Sequence, residues 1–141
     1  MVAGFTIAEI IIVIGIFSIL FAVALPVGID FYSNYQLSSE SKILVSLLGE
    51  ARNRAMVNYN ESDHGLYFDV NNLLLFQGDN YEFRVTSEDR NFPRTAAVSI
   101  SGPSELVFSA LSGRTASSTY TITDGRRTKF VYVNEEGRIQ Y

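Results

Sequence analysis

The sequence predicts an α+β fold. One long N-terminal helix, its first half membrane-spanning and its second half amphipathic, packs on an antiparallel β-sheet domain. Three observations predict it. No charged residue occurs from Ile10 to Ile29. Apolar and small residues then recur at spacings of three and four from Leu37 to Ala55. Beyond Asn60 the pattern changes to period two and to β-formers, punctuated by Gly, Asn and Asp.

The first segment, Ile10–Ile29, reads IIIVIGIFSILFAVALPVGI. At about 1.5 Å per residue it spans roughly 30 Å, the thickness of a bilayer's hydrocarbon core. A buried core helix is a poor alternative, because a domain this small could not cover an apolar surface on every face. A secretory signal peptide would want a basic n-region, a shorter apolar core and a small-residue cleavage site. Nothing basic precedes this run, and Leu25-Pro26-Val27 is a weak cleavage site.

The helix continues past the apolar run. Pro26 and Gly28 mark a weak point, since Pro removes a backbone hydrogen bond and Gly adds flexibility. Leu37, Ser41, Leu44, Leu48, Ala51 and Ala55 form a stripe that Ile43 and Leu47 widen. Glu40, Lys42, Glu50, Arg52 and Arg54 are read as falling off it. The helix should fade near Asn58–Asn60. Strands are expected at Gly65–Val70, Asn72–Gln77, Tyr81–Thr86, Ala97–Ser101, Glu105–Ser109, Ser118–Thr123 and Thr128–Asn134, with Arg138–Tyr141 a further candidate. Asp124-Gly125 suggests a hairpin, and the polar stretch Ser87–Thr95 reads as a loop.

Composition narrows the chemistry. The 141 residues suit one globular domain, and 11 Lys and Arg against 15 Asp and Glu give no general reason to expect nucleic acid. With no Cys there is no thiol nucleophile, thiolate metal site or disulfide. His64 is the only His, and its neighbour Asp63 points away from it if both lie in a strand; a surface position is expected. Asp63, Asp69 and Asp79 lack the alternating spacing of a calcium loop. Gly78, Gly102 and Gly113 are isolated, so no phosphate-cradling loop is read. The expectation is a protein that is not an enzyme and takes no cofactor and no metal.

Glu9 is the exception to the hydropathy. A carboxylate at the mouth of a membrane segment is functional by default. Its surroundings, Gly4-Phe5-Thr6-Ile7-Ala8-Glu9 followed at once by the apolar run, resemble the processing site of type IV prepilins and type II secretion pseudopilins. Pro26 also sits where that family often carries a helix-kinking Pro. The resemblance implies a pilin-like lollipop fold: leader 1–4, transmembrane helix 5–29 and globular domain 30–141. It implies cleavage between Gly4 and Phe5 by a prepilin peptidase, N-methylation of Phe5, and assembly through Glu9 and the helix. Glu9 of one subunit would then meet the Phe5 amine of a neighbour. Two charges about 4 Å apart attract by about 4 kcal/mol at an effective dielectric near 20, before desolvation. The segment Met1-Val2-Ala3-Gly4 is neutral, where family leaders usually carry Lys or Arg; either the leader is short and neutral or it extends upstream of Met1.

The rest of the chain resembles the GspH/FimT family of minor pseudopilins. Ala51-Arg52-Asn53-Arg54-Ala55, Gly65-Leu66-Tyr67-Phe68-Asp69, Phe108 with Ser112-Gly113, and Val133–Ile139 carry that likeness. It implies a minor subunit of a type IV pilus or a type II secretion pseudopilus. The implied partners are other pilins, the prepilin peptidase and the inner-membrane assembly platform. The implied location is a single pass in the cytoplasmic (inner) membrane, domain outside, before entry into the filament. Some members bind DNA, so the alternative is a DNA-uptake or adhesion pilin. The candidate DNA-binding residues are Arg126, Arg127 and Lys129, with Arg138 and Arg114 expected nearby. A hairpin edge guarded by charge, or pairing with Glu135 and Glu136, explains the same residues without a ligand.

Overall fold

The computed structural model describes Gly4 and residues 6–141, without the side chains of residues 24–27. Phe5, the expected methylation site, and with it half of the Gly4–Phe5 bond at which cleavage is expected, lies outside the described residues, as does the side chain of Pro26. A single helix, α1, runs from Ile7 to Met56, 50 residues through Pro26 and Gly28 without interruption. It ends where expected: Asn58 and Asn60 adopt left-handed backbone at φ 54° and 53°, which Asn tolerates better than most residues.

The chain divides into two compact units, residues up to Asn34 and from Tyr35 onward. In the first, five successive residues from Ile10 to Ile14 are all exposed. This part of α1 is long and apolar enough to cross a membrane.

In the second unit α1 lays its stripe on two antiparallel sheets, where the sequence suggested one. β1 (His64–Phe68), β2 (Asn72–Gln77), β3 (Arg90–Pro93) and β5 (Glu105–Phe108) form the first sheet, in the order β3-β2-β1-β5. β4 (Ser99–Ser101), β6 (Ser118–Thr123), β7 (Thr128–Val133) and β8 (Ile139–Gln140) form the second, in the order β4-β6-β7-β8. Leu37, Leu44, Leu48, Ala51 and Ala55 of the helix share one core with Leu66, Leu75 and Phe108 of the first sheet and Tyr120, Ile122 and Val131 of the second.

Four expectations fail here for physical reasons. Tyr81–Thr86 is not a strand. Its alternation is used up in a folded excursion: Arg84 reaches Asp89 at 2.9 Å and the Tyr81 carbonyl at 2.8 Å, and Tyr81 stacks on Tyr67 with ring centres 3.6 Å apart. The Asp89 hydrogen bond raises the already high pKa of Arg84. The strand lies instead at Arg90–Pro93, inside the stretch read as a loop; as an edge strand it needs little apolar character and tolerates a terminal Pro. Ile43 does not widen the stripe but is exposed. Glu40, assigned to the solvent side, is buried.

The excursion also covers the far face of the first sheet. Phe76 points away from the helix yet is buried, with Tyr81 edge-on to it. Its cross-strand partner is Gly65, where a Cβ would stand 2.5 Å from the Phe76 ring. That close approach explains why glycine stands in the middle of β1.

Candidate functional site

At the start of α1, Thr6 and Glu9 form a reciprocal cap. The Thr6 N–H and hydroxyl donate to Glu9 Oε2 at 2.8 and 2.9 Å, and the Glu9 N–H donates to Thr6 Oγ1 at 3.3 Å. This is the capping-box arrangement, which satisfies helix N–H groups that have no partner within the helix. The carboxylate expected to meet an intermolecular amine has a local partner in Thr6. The Thr-x-x-Glu spacing was the signal for it.

The basic residues do not form one patch. Arg126 and Arg127 lie in the β6–β7 turn, where their N–H groups donate to Asp124 Oδ1 at 2.9 and 2.6 Å. The bonds from Arg127 and then Arg126 hold the Asp124 carboxyl below its ordinary range. Lys129 lies in register with Ile122, whose side chain is buried in the core, and its Nζ reaches Ser38 of α1 at 3.1 Å. Arg138 stands beyond the other end of β7, five residues and so about 17 Å along the strand, 3.6 Å from Glu136. Arg114 is at that end too, 4.0 Å from Glu135. The expectation that Arg114 and Arg138 lie near the hairpin cluster is therefore corrected.

His64 is also corrected: it is buried, 1% exposed, with Nε2 2.9 Å from the Tyr59 carbonyl. Asp63 is turned to another task, accepting the Ala110 N–H at 2.7 Å. No group of three or more His, Asp or Glu side chains suited to a metal occurs among the described residues.

Three of the four family-like segments meet at the C-terminal end of α1. Arg52 donates to the Glu136 carbonyl at 3.3 Å, and the Leu111 N–H donates to the Ala55 carbonyl at 2.8 Å. A Cβ on Gly113 would stand 2.6 Å from Met56 Cγ, and one on Gly137 would collide with the Gly113 carbonyl and Arg52. Both glycines have positive φ, 62° and 73°. The fourth segment opens β1, which pairs with Phe108 and its neighbours. These motifs therefore lock the helix end against two turns, a structural task.

Sequence reading missed one buried cluster altogether. Glu40 accepts the Thr95 N–H at 3.2 Å and lies 4.0 Å from Arg94, both side chains being almost inaccessible. Arg94 also donates to the Asp69, Val70 and Val98 carbonyls at 3.1–3.2 Å. Burial lowers its pKa, with Glu40 and Asp69 opposing. Against known proteins, the chain matches no family model, no curated protein and no solved structure.

Proposed function

We propose that this chain is a non-enzymatic filament subunit of the type IV pilin class, a minor one that helps start a pilus or a secretion pseudopilus. The supporting observation is the single carboxylate of Glu9, capped by Thr6 at the mouth of an apolar, outwardly exposed helix, directly after Gly4-Phe5. A carboxylate there serves an anchor poorly and a helix bundle well. In lipid it resists burial; in a bundle it can meet a cationic N-terminus.

On this reading a prepilin peptidase cuts between Gly4 and Phe5, and the new amine at Phe5 is methylated. The freed helix leaves the inner membrane through an assembly platform and packs among the helices of other pilins, with Glu9 facing a neighbour's Phe5. The second unit stays outside the cytoplasm. DNA binding through Arg126, Arg127, Lys129 and Arg138 has less support, because those residues lie at opposite ends of β7. Incorporation of Glu9→Gln protein into filaments, counted by immunogold labelling at matched expression, tests the pairing role. Incorporation should fall although cleavage persists; normal incorporation into the shaft would refute that role.

A further inference from the structure

The far face of the second sheet is bare, and its composition is unusual. Register places Ser99, Thr123 and Thr128 in one cross-strand row and Ser101, Thr121 and Phe130 in the next. Thr119, Tyr132 and Gln140 form a third. The alternate residues Tyr120, Ile122, Val131 and Val133 fill the core, so these three rows point to solvent. They hold six Ser and Thr hydroxyls, one amide, two aromatic rings and no charged side chain. Phe130 is 61% exposed and Tyr132 40% exposed. Rings two residues apart on one strand stand about 7 Å from each other.

Parts of the lattice are held in place. Thr123 Oγ1 donates to the Arg127 carbonyl at 2.8 Å, and the Tyr132 hydroxyl lies 3.1 Å from Ser117 Oγ. Beside the face, around the edge of β7, is a recess of 460 Å³ lined by Ser41, Thr128, Lys129, Phe130 and Tyr141. The first sheet makes the contrast. Its far-side rings are covered by the Tyr81–Arg84 excursion, whereas nothing in the second unit covers Phe130.

The geometry points to this face as a binding platform for a neutral polysaccharide, with Phe130 and Tyr132 stacked under sugar rings. One face of a sugar ring is lined with C–H groups that match the negative face of an aromatic ring. Its hydroxyls need partners that both donate and accept, as Ser, Thr and Gln side chains do. A neutral ligand fits a face with no charge to desolvate. A nucleic acid or an anionic membrane would want cations on the face, and there are none. A second copy would want a more apolar centre than two rings set among hydroxyls. The site lies wholly in the second unit, so it stands or falls independently of the filament reading.

Co-sedimentation of the full chain in neutral detergent micelles with cellulose, chitin and starch tests it. Retention by at least one polymer is expected, little changed by high salt. Phe130→Ala and Tyr132→Ala should each weaken retention about tenfold, the scale of one lost ring contact. Tyr132→Phe and Phe130→Tyr should preserve it, and all four variants should melt like the parent. Retention by none of the polymers would overturn the proposal. So would retention unaffected by the double alanine variant, retention abolished by salt, or a dimer that Phe130→Ala dissolves.

Discussion

The two halves of α1 share a backbone and differ in where their polar residues fall. From Ile10 to Ile29 nothing is charged, and the apolar side chains described from Ile10 to Val23 face outward on all sides. From Leu37 to Ala55 the apolar residues keep to one stripe and the stripe is buried. The width of the apolar arc, more than its hydrophobicity, separates the halves: the second is covered by the protein's own sheets, and the first is long and apolar enough to cross a membrane.

Substituting one carboxylate into each half should break that comparison most sharply. Leu48→Asp in a fragment from Asp30 onward should abolish folding, because an unpaired buried carboxylate costs several kcal/mol against a total stability of about 5–15 kcal/mol. Ile12→Asp in the full chain should leave the melting of the second unit unchanged and impair retention in membranes. A folded Leu48→Asp fragment by circular dichroism would contradict the division. Next in size comes Arg94→Met. Removing one partner of a buried pair costs about 3–5 kcal/mol, and here three carbonyls lose their donor as well. Adding Glu40→Leu should recover part of the loss in urea unfolding.

The same comparison shows what was legible beforehand. The stripe, the helix end and Asn72–Gln77 and Ser118–Thr123 as strands follow from spacing, because burial there depends on local periodicity. Glu40 was misplaced although it lies three residues after Leu37 and four before Leu44. Its spacing put it on the stripe, and its charge argued otherwise because the compensating Arg94 is distant in sequence. His64 and the Tyr81–Thr86 excursion were misread for the same reason. Each owes its position to a partner brought in by the fold: Tyr59 behind the histidine, Tyr67 and Asp89 around the excursion. At the candidate site, Glu9 stood out by its charge, whereas the separation of the basic residues needed the sheet register.

Two smaller effects sharpen the picture of the second unit. The Tyr120 hydroxyl is buried without a hydrogen-bond partner, and burial raises its pKa. Tyr120→Phe should therefore be neutral or stabilise by about 1 kcal/mol in thermal melts. Asp124→Asn should give the smallest shift. Its folded pKa lies below the ordinary aspartate value, so its contribution is present above about pH 4 and fades as the pH falls through the lower folded value. Parent and variant melting temperatures should differ slightly at neutral pH and converge in acid.

The filament reading rests on processing, which intact-mass measurement of the chain co-expressed with a prepilin peptidase tests most directly. The account predicts a product beginning at Phe5 and carrying one added methyl group, with cleavage suppressed when Gly4 is replaced by a bulky residue. A chain that keeps its original N-terminus under those conditions would contradict it.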